Sequence, residues 1–74
     1  MTFEEILPKI KQGKKAIRTG WGGSELYIFE VSHDQYQGEE INPYLLIKTN
    51  EAPTLSMFQP TSCDVLADDW QLVE

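Results

Sequence analysis

The chain has 74 residues, a formal net charge of −6 and a single cysteine, Cys63. A domain of this size buries only roughly 60% of the surface that its unfolded chain exposes, so residues 1–74 form one domain with a marginal core. The cysteine count excludes an internal disulfide, and zinc is disfavoured because Cys63 and His33 are the only soft ligands, which leaves association with other copies as the expected source of extra stability.

The first predicted element is an amphipathic helix over residues 2–13. Thr2 and Glu5 have the spacing of a capping box, and Gly13 stands where a left-handed C-terminal cap is expected. The apolar face consists of residues at i, i+3, i+4 and i+7, namely Phe3, Ile6, Leu7 and Ile10. Pro8 removes one helical hydrogen bond, which predicts a bend or a loosened start.

The middle of the chain reads as strands joined by turns and a loop. Three glycines around Trp21 predict a sharp turn over residues 19–23. Runs of apolar, aromatic and β-branched residues predict strands at 15–18, 26–31, 44–49 and 55–59. The polar stretch 32–42 is expected to be a loop, and residues 50–53 are expected to be a turn.

The end of the chain predicts a short helix and a final edge strand. Pro60 ends the preceding strand, and Thr61 or Ser62 can cap one or two helical turns through residues 64–67. Residues 70–73 then form the last strand. The predicted fold class is α+β, with one N-terminal helix packed on a small, mostly antiparallel sheet and a short helical turn before the last strand.

The charges are unevenly distributed. Five of the six basic residues lie between positions 9 and 18: Lys9, Lys11, Lys14, Lys15 and Arg18. After Arg18 there are ten acids and one base, Lys48. This pattern fits a solvated helix face followed by an acidic body, or a local basic patch suited to phosphate. DNA or RNA as a partner is disfavoured, because an acidic domain lacks a broad positive surface.

The sequence also predicts where the protein acts. The stretch MTFEEILPKIKQ has two acids and a proline where a secretory signal needs an apolar segment. The apolar runs at 26–29 and 44–47 are too short to cross a bilayer. We therefore expect a cytoplasmic protein without a membrane partner.

No motif of a known enzyme class is present, so no catalytic residue, metal or cofactor is predicted. The sequence has no Gly-rich phosphate loop before a helix, no G-x-S-x-G and no HExxH. Cys63 is expected to be a small buried residue and His33 a solvated surface residue. The acids Asp64, Asp68 and Asp69 resemble a carboxylate cluster, but we expect Asp64 to support a helix start and the other two to form a polar turn.

The aromatic residues offer the clearest binding chemistry. Trp21 has glycines on both sides and follows Arg18 by three residues, while Phe58 precedes the hydroxyl of Thr61. A flat ring beside a guanidinium and free backbone N–H groups suits a stacked base with its phosphate. The alternative is that Trp21 is a turn residue folded onto the core, and residue types alone favour this alternative.

Three stretches together resemble the Thoeris anti-defence two family of small phage and prophage proteins. FEEILPKIKQGKKAIRTGWGG resembles the family's opening, and PYLLIKT resembles its central strand. FQPTSCDVLADDWQLV resembles its closing pattern, in which seven residues fall in register: Pro60, Thr61, Asp64, Leu66, Ala67, Asp69 and Trp70. The resemblance covers residues 3–73, and the closing pattern is its most specific part.

The resemblance implies a non-enzymatic sponge that binds a nucleotide immune messenger and holds it without cleavage, so that the host's defence effector is not activated. The messenger would be a cyclic ADP-ribose isomer or a cyclic dinucleotide, in the cytoplasm of the infected bacterial host. The resemblance also implies a homotetramer with ligand sites between subunits.

On this reading Trp21 and Phe58 stack on a base, Arg18 pairs with a phosphate, and the Gly22 and Gly23 backbone approaches the ligand. Thr61 and Asp64 would then bond ribose or base edges.

Two departures from the family pattern concern the identity of the ligand. Phe58 stands where the family usually has a tryptophan, and the loop over residues 32–42 is shorter than in many members. The alternative function is a small acidic interaction module that binds and inhibits a host protein.

Overall fold

A computed structural model describes residues 1–73 of the chain. Two helices are present, α1 (Phe3–Lys11) and α2 (Ser62–Leu66). The strands are β1 (Lys15–Arg18), β2 (Glu25–Val31), β3 (Gln35–Tyr36), β4 (Glu39–Glu40), β5 (Tyr44–Thr49), β6 (Leu55–Met57) and β7 (Trp70–Val73). The predicted α+β class, with a helix on an antiparallel sheet and a short helix before the last strand, is confirmed.

Five strands form one sheet in the order β6-β5-β2-β1-β7. Every neighbouring pair is antiparallel, with Ala16 of β1 opposite Ile28 of β2 on one side and opposite Leu72 of β7 on the other. The last strand, β7, is an edge strand as predicted. The ladder between β5 and β6 continues beyond Met57, because the Phe58 N–H donates to the Leu45 carbonyl at 2.9 Å.

Helix α1 begins with the predicted capping box. The Glu5 N–H donates to the Thr2 hydroxyl, and the Thr2 N–H donates to the Glu5 carboxylate. The helix runs through Pro8 and ends at Lys11, two residues earlier than predicted, and Gly13 has φ = +95°. This is the left-handed conformation in which a glycine costs least.

The two faces of the five-stranded sheet differ in burial. Helix α1 covers the face that carries Ala16, Ile28 and Trp70, and the fully buried core lies here. Its members are Ile6, Ile10, Ala16, Ile28 and Trp70. Because alternate residues of a strand point to opposite faces, the strand registers place another set of apolar side chains on the far side of the sheet.

We call that second surface the open face. It consists of apolar residues from all five strands: Ile17, Tyr27, Phe29, Leu46, Leu55, Met57 and Val73. None of these seven is fully buried, and Leu55 and Met57 on β6 remain 47% and 61% exposed. The Lys15 ammonium lies 4.6 Å from the centre of the Tyr27 ring on the same face. The side of the sheet opposite α1 is therefore a largely apolar surface.

The polar stretch over residues 32–42, predicted as a loop, contains a short hairpin that the prediction missed. Strands β3 and β4 pair antiparallel there, with Gln35 opposite Glu40 and Tyr36 opposite Glu39. Gln37 and Gly38 both have positive φ, at 52° and 82°, which is the backbone of a two-residue hairpin turn. The strands are too short and too polar to show the alternation that identifies a strand in a sequence.

Candidate functional site

The end of β1 is a tight turn that carries Trp21. The Trp21 N–H donates to the Arg18 carbonyl at 3.2 Å, which closes a four-residue turn. The Gly20 N–H donates to an Asp69 carboxylate oxygen at 2.8 Å. A Cβ atom on Gly20 would lie 2.8 Å from the same oxygen. A larger residue at position 20 would therefore displace the Asp69 carboxylate or the turn.

Trp21 packs edge-on against two other aromatic rings. Its ring centre lies 5.9 Å from that of Phe58 and 5.4 Å from that of Trp70, with interplanar angles of 67° and 78°. Such edge-to-face pairs contribute about 0.5–1.5 kcal/mol beyond the area that they bury. Trp70 is fully buried, whereas Trp21 and Phe58 are half-buried.

Trp21 thus packs on the core, as the alternative interpretation predicted, and still presents part of its ring to solvent. Because Trp21 and Phe58 touch each other edge to face, a base cannot be inserted between them. A base can stack only on the outer surface of either ring.

Arg18 lies between two carboxylates. Its Nη1 atom is 2.8 Å from Asp64 Oδ1, and its Nε atom is 2.9 Å from Asp69 Oδ1. The hydrogen bonds that Arg18 donates to Asp69 and Asp64 raise its pKa, so the guanidinium stays charged. The three side chains together carry a net charge of −1, which weakens the attraction of this corner for an anion.

The two carboxylates stay ionised for different reasons. Burial raises the pKa of Asp64, but hydrogen bonds from the Thr61 backbone and Arg18 outweigh it and bring this pKa below its ordinary value. The Arg18 hydrogen bond lowers the pKa of Asp69, and the Gly20 N–H adds to that effect against a smaller opposing effect of burial.

Thr61 and Asp64 form the N-terminal cap of α2. The Thr61 N–H and hydroxyl both donate to Asp64 Oδ2, at 2.9 and 3.1 Å, and the Asp64 N–H donates to the Thr61 hydroxyl. The Asp64 carbonyl accepts the Trp70 indole N–H at 2.9 Å. Asp64 therefore ties α2, β1 and β7 together, which confirms its predicted role at the helix start.

The two glycines after Trp21 differ. Gly22 is exposed, and a Cβ atom built there would meet nothing within 4 Å. Gly23 is occupied from within the chain, because its N–H donates to Glu25 Oε2 at 3.1 Å. Gly22 is the open part of this backbone.

Two groups of contacts bring the predicted residues together. Arg18, Thr61 and Asp64 are joined by hydrogen bonds, and Trp21, which precedes Gly22, packs on Phe58. Trp70 links the two groups through the Asp64 carbonyl and the Trp21 ring, and we call this region the Trp21 corner. Gly23 adjoins the corner in sequence. The prediction gave Asp69 no role beyond a polar turn, yet Asp69 contacts Arg18 and Gly20. The one feature of the sequence that singled out Asp69 was its position in the closing sequence pattern.

Two cavities lie elsewhere in residues 1–73. One of about 380 Å³ is lined by Gly13, Lys14, Lys15, Leu72 and Val73, and the other, of about 250 Å³, lies beside the β3–β4 hairpin. Neither includes a residue of the Trp21 corner.

The remaining candidates for chemistry do not assemble into a site. Cys63 is exposed, so the expectation that it is buried was wrong. It lies on a face of the short helix α2 that no other element covers. His33 is exposed as predicted, with Nδ1 3.7 Å from a Glu40 carboxylate oxygen. No group of three or more potential metal ligands occurs within residues 1–73.

The fold and the Trp21 corner define a small α+β domain with aromatic and acidic side chains gathered at one corner. A family model described as "Thoeris anti-defense 2-like domain" matches residues 1–73. The chain is also 34% identical over 85 residues to "Thoeris anti-defense 2" of Bacillus phage SP01, covering 99% of this chain and 94% of that protein. The chain belongs to the Thoeris anti-defense 2-like family, and this membership supports an anti-defence role.

The comparison also shows a difference in length between the two proteins. The matched stretch of 85 residues is longer than the 74-residue chain, so the phage SP01 protein carries insertions that this chain lacks.

Within residues 1–73, no helix is long and apolar enough to span a bilayer.

Proposed function

We propose that this protein is a phage anti-defence sponge that binds a nucleotide immune messenger and holds it without cleavage in the cytoplasm of the infected host. The messenger would be a cyclic ADP-ribose isomer or a cyclic dinucleotide. Family membership supports the anti-defence role. The observation that carries the proposal is the half-exposed Trp21 ring beside the open backbone of Gly22.

In this proposal the aromatic part of the corner binds a base. The exposed surface of Trp21, or of Phe58 beside it, stacks on one face of the base, with an expected contribution of about 1–3 kcal/mol per base. Gly22 lets the ligand approach the backbone closely, because it has no side chain and the space beside it is open, whereas the Gly23 N–H is held by Glu25. Stacking is tolerant of base identity, which agrees with two classes of messenger.

The polar part of the corner binds the sugar and phosphates. The Arg18 Nε and Nη1 atoms are occupied by Asp69 and Asp64, which leaves Nη2 to donate to a ligand phosphate. The Thr61 hydroxyl retains one acceptor position for a ribose hydroxyl. Asp64 lies beneath the site and fixes the positions of Arg18 and Thr61 through hydrogen bonds.

The negative balance of the Arg18, Asp64 and Asp69 side chains implies that one chain alone does not neutralise a messenger with two phosphates. We therefore propose that the site is completed by a second copy in a homotetramer. The open face lies on the other side of the sheet from the corner and supports association of the chains, since exposed apolar patches of this kind mark interaction surfaces. Only five apolar residues are fully buried in residues 1–73 of the single chain. Association would bury further apolar surface and so add to the stability of this small core.

Sequestration has a different dose dependence from catalysis. Each site removes one messenger molecule, so protection rises in proportion to the number of copies of the protein. Because binding must outcompete the host effector, slow release of the ligand is the functional requirement.

Calorimetry with cyclic ADP-ribose isomers and cyclic dinucleotides tests the proposal. The wild-type protein should bind at least one of them, and Trp21→Ala should weaken that binding by about tenfold to a hundredfold, the loss of one stacked base. Tyr36→Ala is the matched control, because Tyr36 lies on the hairpin and is 65% exposed. It should bind like the wild type.

Two results would count against a sponge. Absence of heat with every nucleotide, together with a co-purifying host protein, would favour the acidic interaction module. A folded Trp21→Ala protein with unchanged affinity would show that Trp21 is a core residue only.

A further inference from the structure

Asp69 makes more contacts with the turn before Trp21 than charge compensation requires. Its backbone carbonyl accepts the Thr19 N–H at 3.0 Å, and its Oδ2 atom accepts the Gly20 N–H at 2.8 Å. Its Oδ1 atom accepts Arg18 Nε at 2.9 Å. One residue thus holds three consecutive residues of the turn.

Neutralising Arg18 does not explain this arrangement. Asp64 already pairs with the Arg18 guanidinium at 2.8 Å. The additional contact is to the neutral Gly20 amide. A Cβ atom added at Gly20 would lie 2.8 Å from Asp69 Oδ2, so the carboxylate or the turn would have to shift.

The turn determines where Trp21 and Gly22 lie. Gly20 directly precedes Trp21, and the Trp21 N–H is bonded back to the Arg18 carbonyl. Trp21 packs on Trp70, the residue that follows Asp69. The backbone from Arg18 to Trp21 is therefore fixed at one side by Asp69 and at the other by the aromatic contact.

We propose that Asp69 is a positioning residue for the Trp21 corner. By holding the Gly20 amide and Arg18 Nε together, it keeps the Trp21 ring and the Gly22 backbone in the orientation that a ligand meets. The inference rests on the proposed function in one respect, namely that this corner binds the messenger. A site held in its bound orientation binds more tightly, because less of its conformational freedom is lost on binding.

Asp69→Asn tests the proposal with almost no change in shape. Arg18 Nε and the Gly20 N–H point at two different oxygens of the Asp69 carboxylate, so an asparagine leaves one of these donors facing its NH2 group, which cannot accept. Gly20→Ala disturbs the same contact from the other side, because its Cβ would lie 2.8 Å from Asp69 Oδ2. Asp68→Asn is the matched control, since Asp68 is the exposed neighbouring acid.

The first readout needs no ligand. Amide hydrogen exchange should be about tenfold faster or more at Gly20 and Trp21 in Asp69→Asn and Gly20→Ala. The Ile28 amide in the core should change far less, and Asp68→Asn should match the wild type at all three positions. The second readout is calorimetry with the cyclic ADP-ribose isomer, where both variants should bind at least about tenfold more weakly.

The two readouts separate the two proposals. If the wild-type protein binds no nucleotide, the proposed function fails, and the exchange data still decide the role of Asp69. Unchanged exchange at Gly20 and Trp21 in Asp69→Asn overturns the positioning role. Equal acceleration at Ile28, or loss of folding in both variants, also overturns it, because Asp69 would then support the whole fold.

Discussion

The two faces of the five-stranded sheet carry similar apolar side chains but differ in how far these side chains are buried. On the covered face, Ala16, Ile28 and Trp70 are fully buried beneath α1. On the open face, Tyr27 and Phe29 pack against each other with ring centres 5.8 Å apart and remain half-exposed. A single nine-residue helix can cover one side of this sheet only.

The comparison teaches that apolar residues in the strands serve two purposes. Those on the covered face determine whether the chain folds, while those on the open face are available to another chain. The Trp21 corner lies at the margin of the covered face, since Trp21 packs on Trp70. Substitutions on the two faces should therefore separate folding, assembly and ligand binding.

The largest effect is expected on the covered face. Trp70→Ala should lower the free energy of unfolding by about 3–5 kcal/mol, the usual cost of removing a buried tryptophan. The variant also leaves the Asp64 carbonyl without the indole N–H that it accepts. Urea denaturation followed by circular dichroism measures the change. Tyr36→Ala, on the exposed hairpin, should stay within about 0.5 kcal/mol of the wild type, and an equal loss in both would contradict the assignment of the core.

On the open face, Leu55→Asp combined with Met57→Asp should separate the subunits without unfolding the chain. Both side chains lie on β6 and are exposed in the single chain, so the charges cost little there. Light scattering should change from a tetramer to a species near 8.5 kDa. Gln35→Asp adds a charge away from this face and should leave the tetramer intact. A wild-type protein that is monodisperse at 8.5 kDa would remove the open face as an interface.

Acid should weaken the ion pairs that tie β1 to α2 and β7. The pKa values of Asp64 and Asp69 are both lowered in the folded chain. Their contribution to stability is therefore present above the pKa of an unfolded aspartate, about 3.9, and decreases as pH falls through the lowered values. The urea concentration at the unfolding midpoint should therefore decrease as the pH is lowered through this acidic range. Asp64→Asn with Asp69→Asn should show a flatter dependence on pH, and an unchanged slope would contradict the account.

The smallest effect is expected at Phe58. Phe58→Trp supplies an indole N–H that Phe58 lacks, and a hydrogen bond to a charged group contributes about 1.5–3 kcal/mol. Binding of a cyclic ADP-ribose isomer should become about tenfold tighter or more, provided that the larger ring fits beside Trp21. Equal or weaker binding by a folded variant would mean that the corner does not lack this donor.

The elements with strong local signals could be predicted from the sequence. The capping pair Thr2 and Glu5, the glycine at position 13 and the apolar strands depend on neighbouring residues only, and each is present in the fold. The β3–β4 hairpin could not be predicted, because its turn at Gln37 and Gly38 joins strands of two residues with no apolar side. The exposure of Cys63 depends on what α2 leaves uncovered, which no local pattern reveals.

The Trp21 corner could be predicted in part. The flanking glycines drew attention to Trp21 as a candidate site residue, and the closing sequence pattern indicated Thr61 and Asp64. Contacts between distant residues stayed hidden, since Arg18 and Asp69 are 51 positions apart in the chain. Whether Arg18 is free for a phosphate depends on those contacts, and so does the role of Asp69.

Recovery of the ligand tests the central claim most directly. The purified protein is saturated with a cyclic ADP-ribose isomer, freed of unbound nucleotide by gel filtration, and denatured, and the released nucleotide is identified by mass spectrometry. A sponge should release the intact cyclic molecule in a fixed ratio to protein, and Trp21→Ala should release much less. Recovery of a linear or hydrolysed product, or of no nucleotide from the wild-type protein, would contradict sequestration.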